Sequence, residues 1–369
     1  MSVCLYHDSR RPAPPKPPCS RPDDPGEHAH SSPSSFFLAG PVPVDINPIT
    51  PLCQEATELK VGVVGTGGWG KNHVRVLNEL QCLAAVCDMN TERATTFSKS
   101  YHVPGYDSLD EMLKKEKLDA VTICTPASTH FAMASKALEA GLHAFVEKPM
   151  TTTVRDGEML IEAAKNANRF LTVGFIERFN PPITALKQTI AEGKMGEPIL
   201  LEFHRENSRG EHIGDVGIVK DASVHDIDTA CWLFSEVPKV VYARVGGIHV
   251  PLEHEDFATI LLGFSGQKTA FLVTNWITPN RVRTLSAVFS GGVVDVDFVT
   301  QKTNIHEGTV TTVPTTPFQE PLMLELRGFV NSLQEKKQPL VTGTDGLNVI
   351  RTAEAVLASS SSGTPIYPG

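Results

Sequence analysis

A short β-branched run breaks into glycines at "LKVGVVGTGGWG" (59–70), and an apolar-periodic segment, "KNHVRVLNEL", follows at once. Gly65, Gly67 and Gly70 therefore form G-x-G-x-x-G between a strand and a helix. Gly65 permits the tight turn, Gly67 lets the backbone approach a pyrophosphate, and Gly70 lets helix and strand pack closely. The helix N-terminus adds free N–H groups and the positive end of the peptide dipole. Thr66 and Trp69 complete the turn and are expected to touch the same ligand. The next strand, "CLAAVCD", ends in Asp88, 23 positions after Gly65. An acid near that offset accepts hydrogen bonds from ribose hydroxyls. Its charge repels a 2′-phosphate, so NAD is favoured over NADP, and Arg93 is placed to soften that preference. The competing reading makes Asp88 a cap for the helix in "TERATTFSKSY"; the two are compatible.

The pattern continues as strands alternating with helices. "SLDEMLKKEK" reads as a helix, "LDAVTICTP" as a strand, "THFAMASKALEAG" as a helix, "LHAFVEKP" as a strand, "VRDGEMLIEAAKNAN" as a helix and "RFLTVGF" as a strand. Such alternation predicts a doubly wound parallel sheet. After residue 180 the strands lengthen and acquire Ser-Gly and Gly-Gly turns, as in "FATILLGFSGQKTAFLVTNW" and "TLSAVFSGGVVDVDFV". These predict hairpins in a large, mostly antiparallel sheet. Helices are expected at about 181–192 and 222–234, and in "GLNVIRTAEAVLASS", which should pack back on the first domain. The fold class is α/β, with a Rossmann domain over 58–178 and a substrate-binding and oligomerisation domain over 179–369.

Residues 1–57 hold 12 of the 27 prolines and show neither period, so they are expected to be a disordered extension. The net charge of −9 argues against a nucleic-acid partner. No apolar run approaches the ~20 residues of a membrane span. The seven cysteines form no CxxC pair and no zinc-like spacing, so no metal is expected. They suit reduced thiols in the cytoplasm.

"VEKPM" places Glu147 and Lys148 side by side where an apolar strand ends, before Pro149. Ligands of open α/β sheets bind beyond the carboxyl ends of the strands. Pro149 biases Lys148 toward extended geometry, so the ammonium leaves the sheet in a defined direction. By themselves these residues read rather as a surface ion pair, which contributes little.

The stretches "VGVVGTGGWGKNH", "AVTICTPASTHFAMASKALEAGLHAFVEKPM", "VGFIERFNP" and "DASVHDID" resemble the glucose-fructose oxidoreductase / inositol dehydrogenase / rhizopine catabolism family, over residues 58–369. "ERFNP" with "GDVGIVKDASVHDID" is most similar to its UDP-N-acetylglucosamine 3-dehydrogenase branch. The resemblance implies oxidation or reduction of a sugar or cyclitol carbinol by a nicotinamide cofactor. It places Lys148 on the family's active-site lysine, and Asp221 and His225 on its D-x-x-x-H motif. On a helix Asp221 and His225 share a face. His225 is the candidate general base, with an ordinary pKa of ~6.5; Asp221 orients its ring or binds a substrate hydroxyl. Asp226 points away from that face, and Asp228 is free to pair structurally. Thr125, Pro126 and His130 of "CTPASTH", with Glu147 and Lys148, are expected on the cofactor side. Arg178, Asn180, Arg205 and Arg209 are polar candidates for the substrate, arginines being bidentate partners for a diphosphate. The expected substrate is a nucleotide sugar and the expected assembly a homodimer or homotetramer. The alternatives are a dehydrogenase of a free sugar or inositol, and a non-catalytic NAD-binding regulator that would have no need of Lys148, Asp221 and His225 together.

Overall fold

The computed structural model describes residues 59–208, 215–248 and 254–368. The extension 1–57 and Arg209 lie outside them. The chain first alternates β1 (Val61–Val64), α1 (Gly70–Glu79), β2 (Leu83–Cys87), α2 (Thr91–Tyr101), β3 (Gly105–Tyr106), α3 (Leu109–Lys115), β4 (Ala120–Ile123), α4 (His130–Glu139), β5 (His143–Glu147), α5 (Val154–Ala167) and β6 (Leu171–Gly174). The strands make a six-stranded parallel sheet in the order β3-β2-β1-β4-β5-β6. Every residue of β1, β4 and β6 is buried. Their side chains are covered on both faces, which is why these strands read as continuous apolar runs. The order reverses at β1 and β4, so a crevice opens between the ends of those two strands.

The second half contains α6 (Pro181–Glu192), β7 (Pro198–Glu206), a π-helical turn (Val219–Ser223) leading into α7 (Val224–Phe234), and the strands β8 (Val240–Gly246), β9 (Phe257–Gly263), β10 (Thr269–Asn275), β11 (Val282–Phe289), β12 (Gly292–Asp297), β13 (Thr303–Glu307) and β14 (Val310–Thr312). They form an eight-stranded sheet in the order β14-β13-β12-β11-β7-β10-β9-β8, antiparallel except where β7 meets β10. Ala270, Leu272 and Thr274 of β10 point to the buried face, while Phe271 and Val273 are half-exposed on the other. That alternation is the mark of a sheet covered on one side.

Two helices close the molecule. α8 (Pro321–Glu335) was not anticipated. It buries Leu322, Leu326, Phe329, Val330 and Leu333, and Phe329 meets Phe145 of β5 edge to face at 5.5 Å. α9 (Gly343–Ser362) starts with a capping box in which Thr342 and Asp345 exchange side-chain and backbone bonds. Its first turn approaches β6 so closely that a Cβ on Gly346 would lie 2.7 Å from Val173. Its last turns bond β8, with Ser359 Oγ accepting from the Ala243 amide at 3.1 Å and Ser360 Oγ from the Val245 amide at 2.9 Å.

Candidate active site

The glycine turn is built as its spacing requires. Gly65 has φ +88°, a left-handed conformation that suits glycine. A Cβ on Gly65 would lie 2.8 Å from the Cys124 carbonyl, and one on Gly70 only 1.9 Å from Gly65 O. At Gly67 a Cβ would meet nothing within 4 Å, so the backbone faces open space. The N-terminus of α1 has no side-chain cap and no acid in its first turn. Uncapped amides and an open backbone fit a pyrophosphate.

Asp88 stands beside this turn, nearly buried. Its Oδ2 accepts from the Thr66 amide at 2.8 Å and the Thr66 hydroxyl at 2.9 Å. Arg93 grips it with Nε at 3.1 Å and Nη2 at 2.9 Å. Burial works to raise the Asp88 pKa, but Arg93 and the amides of Asn90 and Thr66 bring it below the ordinary value. The helix cap is Asn90, whose side chain accepts from the Arg93 amide, so Asp88 is not the cap of α2. Thr66 therefore acts through Asp88.

Glu147 is buried in a knot with His73 rather than on an open cofactor wall, and the exposed Trp69 is tied to that knot. The Trp69 indole N–H donates to Glu147 Oε1 at 2.8 Å, and His73 Nε2 meets the same oxygen at 3.0 Å. The Lys148 amide donates to Glu147 Oε2 at 3.2 Å. Burial works to raise the Glu147 pKa, and His73, Lys148 and Trp69 together bring it below the usual carboxylate value. The turn that carries Trp69 is thereby fastened to the strand end that carries Lys148. His130 is also corrected: it is buried, with Nδ1 2.7 Å from Pro149 O and Nε2 2.8 Å from Thr125 O. Both ring nitrogens face backbone carbonyls, so it clamps two loops together and does not line the cofactor. Thr125 and Pro126 remain at the crevice, against Gly65, with Thr125 Oγ1 accepting from Thr129 Oγ1 at 2.7 Å.

Lys148 projects from β5 through a cis Lys148–Pro149 bond. Its Nζ donates to Asp221 Oδ1 and to Asp221 O, both at 2.8 Å. Both side chains keep partial exposure, 19% and 23%. Asp221 lies in the π-helical turn and His225 in the first turn of α7. The carboxylate thus holds Lys148 instead of orienting His225, whose Nδ1 is buried without a partner. Burial, then the charges of Lys148, Arg205 and Arg283, push the His225 pKa well below its ordinary value. The imidazole is neutral at pH 7.

The expected substrate arginines are structural. Arg178 is buried, with Nε on Asp228 Oδ2 at 2.8 Å, and Nη2 on Asp228 Oδ1 at 2.6 Å and Asp345 Oδ1 at 2.9 Å. Arg205 is equally buried, held by Asp226 and by Glu177 at 3.0 Å. Such guanidiniums are saturated on the sides their carboxylates occupy, so Arg178 is not available to a diphosphate. Only Nη1 of Arg205 stays unpartnered. Asn180 is buried too, donating to Glu177 Oε2 and Phe298 O. Asp228 pairs structurally as expected, with Arg178, and Asp226, expected only to point away from the His225 face, holds Arg205.

Four residues were missed. His73 sits among the apolar positions of α1. Asp215 accepts from the Ser128 amide at 3.0 Å beside the Thr125 loop. Glu325 of α8 is buried with both carboxyl oxygens unpartnered, and burial, then the charges of Glu147, Asp228 and Glu177, raise its pKa well above normal. Arg283 occupies an inward position of β11, in step with Leu285, Ala287 and Phe289. A charge in that step was a visible signal. A depression of about 510 Å³ lined by Glu202, His204, Asp295 and Asp297 is separate from all of this. Glu202 and His204 alternate with Arg205 along β7 and so lie on the other face.

Residues 59–175 match the oxidoreductase family's NAD-binding Rossmann fold, 183–295 the GFO/IDH/MocA C-terminal domain, and 291–367 the oxidoreductase family's C-terminal alpha/beta domain. The chain belongs to the GFO/IDH/MocA oxidoreductase family. It is similar to UDP-N-acetylglucosamine 3-dehydrogenase of Acidithiobacillus ferrooxidans, 28% identical over 305 residues, covering 80% of this chain and 95% of that protein. It is 26% identical to inositol 2-dehydrogenase of Rubrobacter xylanophilus over 84% of this chain and 93% of that one. A solved structure of the A. ferrooxidans UDP-N-acetylglucosamine 3-dehydrogenase superposes with a TM-score of 0.75 at 27% identity, over 82% of this chain and 98% of that one. As a member of this family the chain is an NAD-dependent dehydrogenase acting on sugar hydroxyls.

Proposed function

We propose that the protein oxidises a ring hydroxyl of a nucleotide sugar, of the UDP-N-acetylglucosamine 3-dehydrogenase type. The observation that carries this reading is the Lys148–Asp221 ion pair, at 2.8 Å, with neutral His225 one turn away. The likeness to the A. ferrooxidans enzyme supports the choice of substrate. Gly65, Gly67 and Gly70 would hold the NAD pyrophosphate, and Thr125 and Pro126 would border the nicotinamide. When bound, NAD supplies a hydride acceptor. Asp88 is the candidate ribose acceptor and requires Arg93, which is half-exposed, to turn aside. If Arg93 instead meets a 2′-phosphate, NADP is used.

Lys148 donates a hydrogen bond to the reacting oxygen, steadied by Asp221. His225, uncharged, accepts the carbinol proton. Asp221 keeps the ammonium at the strand edge, and the Glu147 knot keeps that edge against the glycine turn. A regulator without chemistry would have no need of this pairing, which favours the enzyme over that alternative. The row of exposed Tyr242 and Leu261 with half-exposed Phe271 on the second sheet supports self-association as a homodimer or homotetramer. The cysteines at 82, 87, 124 and 231 are unpaired, in keeping with the cytoplasm. No described helix is long and apolar enough to cross a membrane.

The test is a titration of NADH-bound protein. UDP-N-acetylglucosamine should perturb NADH fluorescence more than glucose or myo-inositol does. Binding of an unphosphorylated polyol alone would replace the nucleotide sugar by the inositol reading.

A further inference from the structure

We infer that Arg283, together with the free Nη1 of Arg205, forms a buried seat beside His225 for an anionic group, a carboxylate or a phosphate, carried by the sugar. The word sugar rests on the dehydrogenase reading above; the anion does not.

The register places Arg283 of β11 opposite Arg205 of β7, and Arg205 opposite Thr274 of β10. Neighbouring strands lie about 4.8 Å apart, so the three side chains form one row on the covered face of the sheet. Each has a buried polar atom with no partner: Arg283 Nε, Arg205 Nη1 and Thr274 Oγ1. Arg205 already has Asp226 and Glu177 on its other edges. Among the described residues, no hydrogen bond or salt bridge engages the Arg283 guanidinium. Burial, then the charges of Arg205 and Arg281, lower the Arg283 pKa to about 10 against the weaker opposing charges of Glu177 and Asp226, so the group remains charged at pH 7.

A buried cation without a carboxylate is costly. Arg178, more deeply buried, shows what the fold does when an arginine is only structural: it supplies Asp228 and Asp345. Arg283 has no such hydrogen-bonded pair, Glu177 and Asp226 acting on it only from a distance, and the missing contact is one that an anion arriving with a ligand can supply. Arg205 bonds Asp226, the residue that follows His225, which puts the seat at the start of α7 that carries His225, and the charges of Arg205 and Arg283 both act on His225. An anion there also offsets the cations that weaken His225 as a base.

The test is calorimetric titration of NADH-loaded full-length protein with three probes: glucuronate, UDP-N-acetylglucosamine and neutral N-acetylglucosamine. Wild type should bind at least one anionic probe about tenfold more tightly than the neutral one. Arg283→Gln should weaken that probe by about 10–100-fold, the effect of one charge-assisted bond. NADH and the neutral sugar should change by less than about twofold. Arg283→Lys should recover part of the loss. Loss for glucuronate assigns the seat to a carboxylate on the ring; loss for UDP-N-acetylglucosamine alone assigns it to phosphate. A thermal melt separates structure from function, because removing an unpaired buried charge should not lower Tm. The inference is overturned if no anionic probe is preferred, if Arg283→Gln leaves anion affinity intact, or if all three probes weaken together. Failure of every probe to reduce NAD, with Arg283-dependent anion binding preserved, would overturn the dehydrogenase reading and leave the seat standing.

Discussion

Lys148 presents its ammonium through one carboxylate, Asp221, at 2.8 Å. Replacing the lysine by methionine keeps much of the length and removes the charge. Turnover of Lys148→Met should fall about 10²–10⁴-fold, as for a lost acid–base group. NADH affinity, read by fluorescence titration, should barely move, because the glycine turn and Asp88 are untouched. His225 gives the pH profile its sign. The imidazole must be neutral to accept a proton, so activity is lost as pH falls through its folded pKa. Burial and the cations Lys148, Arg205 and Arg283 set that value below about 6.5, and the acid limb of kcat/KM belongs there. In Lys148→Met one of those cations is gone and the limb should move up. An acid limb at or above 6.5 in the wild type would remove His225 from the role of base.

At the scale of elements, the β1–α1 turn and the end of β2 act together. Thr66 ties them through two bonds to Asp88, at 2.8 and 2.9 Å. Asp88→Ala removes the ribose acceptor, its charge and this fastening at once. NAD binding should weaken by about 10–100-fold, since charged hydrogen bonds contribute ~1.5–3 kcal/mol. The preference over NADP should narrow because Arg93 is released. Equal binding of both cofactors at wild-type strength would reduce Asp88 to a turn fastener. The helix α8 shows how an element is overlooked. Leu322, Leu326, Phe329 and Leu333 carry the 3–4 spacing of an amphipathic helix. The segment follows the last hairpin, and strand alternation there carries no signal of a return to the first sheet.

Over the whole molecule, Arg178 joins three parts of the chain: the segment after β6, α7 through Asp228, and the first turn of α9 through Asp345. Arg178→Ala would leave the buried Asp228 carboxylate and the partly exposed Asp345 without their cation. Urea unfolding should show a loss of about 3–5 kcal/mol, the cost of breaking a buried pair from one side. A variant that stays as stable as wild type while its KM for a nucleotide sugar rises would return Arg178 to the substrate site. On the other face of the second sheet, Tyr242, Leu261 and Phe271 form an apolar row, the one proposed above for self-association.

The alternation of strands and helices, the glycine spacing, Asp88 and Lys148 at strand ends, and Asp221 four positions before His225 were all legible in the sequence. They depend on neighbours a few residues apart, where the helix period, the strand period and the turn geometry act. What only the tertiary structure decided was the use of the polar residues. Arg178 was expected at the substrate and lies between carboxylates 50 and 167 positions away. Asp221 was expected near His225 and instead holds a lysine 73 positions back. Glu147 and His130, expected at the cofactor, hold loops together. A charge is stabilised by whichever opposite charge or amide the packed chain brings within about 3 Å, and no local period encodes that meeting. Arg283 is the instructive remainder: its step with Leu285, Ala287 and Phe289 points it inward, and only the packed structure showed that no carboxylate among the described residues bonds it there.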